Sequence, residues 1–139
     1  MTDKNSENTE LPTLESSSDD FLRMLIKIVN EGCVNFGVTL NVKGTVVSGT
    51  LINAKVYFDK FGEMFAKGLS RENPNQDLME TFSLYAESPS VSDFIHLDNA
   101  RIHQTFNSEP MPPSKQAGVL WRGRLSEIDG FILGELTSS

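Results

Sequence analysis

Residues 36–52 constrain the fold of this 139-residue chain more than any other stretch. From Phe36 to Val42 every second residue is apolar, and the residues between them are a glycine or polar. This alternation is the pattern of a strand with one face in a core. Gly44 then offers a turn, and a second run rich in β-branched residues extends to Ile52. The sequence therefore predicts an antiparallel β-hairpin. Gly49, inside the second strand, predicts a bulge or a close backbone approach.

Two stretches with helical spacing flank this hairpin. Apolar residues recur at helical spacing over 20–31, where an aspartate before the stretch is placed to cap the helix and Gly32 is placed to end it. Residues 54–68 carry a broad, aromatic-rich stripe with the same period, which predicts a second helix. Residues 78–86 fit a short helix and a strand equally well.

The second half of the chain has the pattern of β-structure. Residues 94–104 predict a strand with a one-residue bulge at 98–99, because the apolar positions change from odd to even numbers there. The proline-rich stretch 105–117 predicts a loop, and two further strands are predicted over 119–125 and 131–136. We therefore predict an α+β fold, in which a bent antiparallel five-stranded sheet or small barrel is covered by an N-terminal helix and an inserted helix.

The acidic residues are concentrated at the N-terminus. Residues 1–20 contain six acids and one lysine, so they carry −5 of the formal net charge of −7. Residues 1–18 also lack aromatic side chains, and we expect them to form a disordered acidic tail ahead of a single α+β domain over 19–139. An anionic chain repels phosphate backbones on average, so we do not expect a nucleic-acid partner.

No motif in the sequence indicates catalysis. The nucleophile-elbow, phosphate-loop, dinucleotide-binding and His-Glu-x-x-His patterns are absent. The best metal candidate, His96 with Asp98 and His103, fails because a regular or bulged strand does not place all three on one face. We expect no enzyme activity, no catalytic residue, no metal site and no cofactor. No apolar run is long enough to cross a bilayer and no secretory signal is present, so we expect a cytoplasmic protein without a membrane partner.

Five residues are candidates for binding a partner protein. Tyr57, Phe58 and Phe61 belong to the aromatic stripe of the second predicted helix and qualify if they are exposed, although such a stripe is more often core. Arg122 and Arg124 share one face of a predicted strand. Three occupants suit them, namely an acidic partner, the chain's own acidic tail or RNA, and the alternative is that they simply contact water.

Several blocks of the sequence resemble the gas-vesicle accessory protein U family. The blocks are VTLNV at 38–42, VSGTLI at 47–52, FIHL at 94–97, WRG at 121–123 and IDGF at 128–131. The resemblance covers roughly residues 21–136. It implies a small non-enzymatic accessory protein that acts on gas-vesicle assembly, stability or clustering, with gas-vesicle shell or other gas-vesicle proteins as partners, in the cytoplasm at the vesicle surface. It supplies no binding site, and we add the hypothesis that the chain self-associates, for instance as a dimer, to bridge vesicles.

The order of the predicted strands is also similar to that of Sm-like small barrels. This gives an alternative function, a nucleic-acid-binding protein that uses Arg101, Trp121 and Arg122. The chain departs from that fold by an insertion of about 40 residues, 54–93, and by its acidity.

Overall fold

A computed structural model describes residues 19–32, 34–68, 76–104 and 109–136. Its elements in chain order are α1 (Asp20–Glu31), β1 (Phe36–Val42), β2 (Thr45–Leu51), α2 (Ala54–Gly68), α3 (Gln76–Tyr85), β3 (Phe94–His103), β4 (Val119–Arg124) and β5 (Gly130–Leu133). Single turns of 3₁₀-helix, Val91–Asp93 and Leu125–Glu127, precede β3 and follow β4. The predicted disordered tail, residues 1–18, lies outside the described residues.

The five strands form one antiparallel sheet in the order β4-β3-β2-β1-β5. The α+β prediction is confirmed. Of the two predicted forms, the open sheet is correct and the small barrel is wrong, because β4 and β5 lie at opposite edges and do not pair with each other. The two edges differ in length, since β5 has four residues and β4 has six.

The β1–β2 hairpin turns at Lys43 and Gly44, as its glycine predicted. Both residues have positive φ angles, 53° and 89°, which is the combination that a two-residue turn between right-twisted strands requires. The side-chain oxygen of Asn41 accepts a hydrogen bond from the Gly44 amide at 3.0 Å. This turn fixes the register in which Phe36 faces Leu51 at the far end of the hairpin.

The predicted bulge in β3 is confirmed, and it coincides with Gly49 of β2. The pairing shifts there because Ser48 faces Arg101 while Thr50 faces Asp98, which leaves one extra residue on β3. A Cβ atom at Gly49 would lie 3.0 Å from the carbonyl oxygen of Asp98. The close approach that a glycine permits therefore lets the strands remain paired across the bulge.

Helices cover both faces of the sheet. On one face, α1 contributes Leu22, Ile26 and Val29 to a core in which the sheet residues are fully or almost fully buried. Those sheet and turn residues are Val38, Leu40, Val47, Leu51, Ile95, Leu97, Ala100, Leu125 and Ile128. On the opposite face, α2 and α3 form a second, smaller core with residues around β3 and β4.

Three sequence boundaries are settled by the structure. Residues 76–85 form a helix, so the helical interpretation of the ambiguous stretch is correct. Leu125 lies in the 3₁₀ turn after β4 rather than in β4 itself, and its side chain is buried. β5 begins at Gly130, one residue earlier than predicted. It also ends earlier, at Leu133, because Gly134 has a φ of 107° and its carbonyl accepts a hydrogen bond from the Thr39 hydroxyl at 2.7 Å.

A Gly118→Ala substitution is expected to lower the free energy of unfolding by about 2 kcal/mol, the usual cost of forcing an extra carbon into a packed site. A Cβ atom there would lie 2.6 Å from the carbonyl oxygen of Asn99, a backbone atom that cannot rotate away. Gly130→Ala is the matched control, since nothing lies within 4 Å of a Cβ at that position. Urea unfolding measures both, and equal losses would contradict the expectation.

Candidate interaction groove

The aromatic stripe of α2 packs on the sheet around His96 of β3. The Tyr57 ring lies 4.7 Å from the His96 ring and the Phe58 ring lies 5.5 Å from it, centroid to centroid. His96 points to this face because its neighbours Ile95 and Leu97 point into the core under α1, and successive residues of a strand alternate. The helix is thus anchored to the sheet by rings that are themselves largely buried.

A row of stacked rings continues outward along α2. Phe61 stacks on Tyr57 at 6.0 Å and on Phe65 at 6.1 Å, as residues four apart on a helix do. Phe82 of α3 meets Phe61 and Phe65 edge to face, at 5.5 Å and 5.6 Å. These contacts hold α3 against α2 and leave ring edges and faces open to solvent beside them.

The rings and one arginine form an open groove between α2, α3 and β4. Its volume is about 380 Å³, and it is lined by Tyr57, Phe58, Phe61, Phe82, Tyr85 and Arg122. Tyr85 and Phe61 are exposed at its rim, while Tyr57 and Phe58 form a buried floor. We call this feature the aromatic groove.

Arg122 is held at the base of the aromatic groove by three contacts. Its guanidinium lies 3.8 Å from the centre of the Phe94 ring and 5.6 Å from that of Phe58. Its Nε donates a hydrogen bond to Nε2 of His96 at 3.2 Å. Within residues 19–32, 34–68, 76–104 and 109–136, no carboxylate lies within ion-pair distance of Arg122. The arginine is positioned by apolar and neutral groups, which leaves its charge uncompensated.

The same arrangement keeps His96 neutral. Burial, reinforced by the positive charge of Arg122, lowers the pKa of His96 to about 4. Because Nε2 accepts from Arg122, the proton of the neutral ring is assigned to Nδ1. Burial also raises the pKa of the Tyr57 hydroxyl, with Arg122 acting in the opposite direction. At neutral pH the guanidinium is therefore the charged group of the aromatic groove.

Acid is expected to destabilise the protein through His96. Its pKa in the folded chain, about 4, lies below the ordinary value of 6.5, so the unfolded chain binds the proton first as the pH falls. The free energy of unfolding should therefore drop by about 2 kcal/mol between pH 7 and pH 5 from this residue. Urea unfolding of the wild type and of a His96→Gln variant at both pH values isolates the contribution of His96 to this pH dependence. The two proteins have the same other titratable groups, including His103. Equal pH dependence in the two proteins would refute it.

The structure brings four of the five sequence-predicted binding residues together. Tyr57, Phe58, Phe61 and Arg122 all line the aromatic groove. Exposure differs among them: Tyr57 and Phe58 keep 7% and 8% of their surface, whereas Phe61 keeps 37%. Of the three aromatic candidates, Phe61 is therefore exposed enough to bind a partner, whereas Tyr57 and Phe58 belong mainly to the core. Arg124 is exposed near the same sheet end but does not line the groove.

Three other contributors were not predicted as site residues. Phe82 and Tyr85 come from the stretch whose secondary structure was ambiguous, although their spacing of three residues suits one face of a helix. His96 was weighed as a metal ligand, and its contact with Arg122 depends on the pairing of β3 with β4. That register cannot be read from the local pattern of either strand.

The residues required by the nucleic-acid alternative do not share one surface. Trp121 packs against the core under α1, on the face of the sheet opposite Arg122. Both terminal nitrogens of Arg101 donate to backbone carbonyls of the loop after β3, those of Pro112, Pro113 and Gln116, at 2.8–3.1 Å. Among the described residues, no group of three or more histidine, cysteine or acidic side chains is placed to hold a metal ion.

Comparison with known proteins gives a match to one family. The family model described as "Gas vesicle protein GvpU-like" matches residues 19–136. The chain belongs to the GvpU-like family. The match extends over both cores and the aromatic groove of this GvpU-like chain. No curated protein and no solved structure gives a significant match.

Membership makes this a gas-vesicle-related protein, and the resemblance seen in the sequence blocks is confirmed. The GvpU-like family is not a known enzyme family. Within the part of the chain that the structure describes, none of the helices combines the length and apolar character that crossing a bilayer would take.

Proposed function

We propose that this GvpU-like chain is a non-enzymatic accessory protein that binds gas-vesicle shell or another gas-vesicle protein through the aromatic groove. The observation that carries the proposal is the open row of rings ending at an uncompensated guanidinium, in a chain of gas-vesicle family. Such a groove suits a partner segment with apolar side chains next to a carboxylate, because the rings remove apolar surface from water and the arginine pairs with the charge. The site of action is the cytoplasm, at the vesicle surface.

The proposed consequence of binding is an effect on vesicle assembly, stability or clustering. Clustering requires that one particle contact two vesicles, which a self-associated form with two copies of the aromatic groove would do. The nucleic-acid alternative gains no support, since Arg101 is occupied by its own loop and Trp121 faces the other side of the sheet.

A flotation assay tests the proposal. Purified gas vesicles are mixed with the protein and allowed to rise, and we expect the protein to rise with them and the vesicles to form clumps. Bovine serum albumin serves as the non-binding control. Protein that stays in the lower phase at every ratio would contradict the proposal. Light scattering coupled to gel filtration measures self-association, and a strict monomer at assay concentration would remove the bridging step.

A further inference from the structure

The N-terminal segment, residues 1–18, has the composition that the aromatic groove suits. It contains four acids, Asp3, Glu7, Glu10 and Glu15, against one lysine. Its leucines, Leu11 and Leu14, are each next to a glutamate in the stretch ELPTLE at 10–15. Apolar side chains beside carboxylates are the features that rings and a guanidinium recognise.

The segment joins the described structure at the end of the sheet where Arg122 lies, on the face that α1 covers. Asp19 caps α1 by accepting hydrogen bonds from the amides of Phe21 and Leu22 at 3.0 Å and 3.2 Å. One turn later, Arg23 pairs with the Asp93 carboxylate and donates to the Ser92 carbonyl at 3.3 Å. The next residue along β3, Phe94, is the ring on which the Arg122 guanidinium lies. The chain therefore enters α1 at the end of the sheet that carries the groove.

The length of the segment lets its leucines extend far from Asp19, around the end of the sheet. Extended chain covers about 3.3–3.6 Å per residue, so Leu14 lies up to about 17 Å from Asp19 and Leu11 up to about 27 Å. Such a tether also gives the stretch a local concentration on the order of millimolar, so even a weak interaction would fill the groove.

We infer that residues 10–15 bind the aromatic groove of their own chain, with the leucines on the rings and a glutamate on Arg122. Charge complementarity supports this occupant, because the described residues offer Arg122 no carboxylate. The segment then acts as an intramolecular competitor that a partner must displace. The docking stands on the contacts above, whereas the competition rests on the proposed function.

The experiment uses ¹⁵N-labelled full chain and a peptide of residues 8–18 as the probe. In the Leu11→Ser/Leu14→Ser variant, amide and arginine Nε signals of the groove should shift relative to the wild type. The peptide should then bind this variant at least fivefold more tightly than it binds the wild type, whose own segment competes. The added substitution Arg122→Gln should weaken peptide binding at least fivefold, and Lys115→Gln, a matched change on an exposed loop, should not.

Three results would overturn the inference. The first is identical groove signals in the wild type and the leucine variant. The second is equal peptide binding with and without Arg122. The third is groove shifts that grow with wild-type concentration, because the occupant would then be a second copy rather than the chain's own segment.

Flotation separates this inference from the proposed function. If the leucine variant binds gas vesicles at least fivefold more tightly than the wild type, docking and competition are both supported. If neither protein floats while the peptide data hold, the proposed function and the competition fail and the docking stands. If both float equally and the peptide data fail, the docking is wrong and the proposed function survives.

Discussion

A Leu97→Ala substitution is expected to lower the free energy of unfolding by about 3 kcal/mol. Leu97 has no exposed surface, and it lies in the middle of β3 between Leu51 of β2 and Trp121 of β4. Removing its side chain takes away apolar contacts and leaves a cavity that rigid strands on both sides cannot close, which costs about 2 to 5 kcal/mol for a buried leucine. Urea unfolding monitored by Trp121 fluorescence measures the change.

Leu84→Ala is the matched control. Leu84 is 66% exposed on α3, so the same truncation there should change the free energy of unfolding by less than about 0.5 kcal/mol. Losses of similar size at the two positions would mean that the core under α1 does not dominate stability.

A Phe61→Ser substitution is expected to weaken binding to gas vesicles at least tenfold, equivalent to about 1.4 kcal/mol. The Phe61 ring contacts the rings of Tyr57, Phe65 and Phe82, and it is exposed enough to meet a partner. Aromatic anchors at the centre of an interface usually carry most of its binding energy. Co-flotation at graded protein concentrations measures the affinity.

Met64→Ser is the control for this change. Met64 is on the same helix, is more exposed than Phe61, and does not line the aromatic groove. Its substitution should change the affinity less than twofold. Thermal unfolding of both variants separates loss of binding from loss of folding, and equal effects on flotation would contradict a role for the groove.

Local pattern was sufficient to predict most of the fold. The alternation after Phe36, the turn at Gly44 and the parity change at 98–99 each follow from chemistry within a few residues, and the structure confirms them. Whether the sheet closes was not predictable in this way. Closure depends on β4 meeting β5, which are separated along the sheet by three other strands.

The candidate site was predictable only in part. Spacing placed Tyr57, Phe58 and Phe61 on one helix face, but which ring ends in the core depends on how α2 lies on the sheet. The role of Arg122 required knowing that β3 pairs with β4 so that His96 faces it. Long-range pairing sets these contacts, and a single sequence contains no local signal for it.

The most direct test of the aromatic groove as a gas-vesicle binding site is site-specific crosslinking. A photoreactive phenylalanine analogue is placed at Phe61, inside the groove, or at Met24, an exposed position on α1 at the other side of the sheet. After irradiation with purified gas vesicles, we expect a covalent product with a gas-vesicle protein from position 61 and little or none from position 24. A product from position 24 alone, or from neither position while the protein still floats, would contradict binding through the groove.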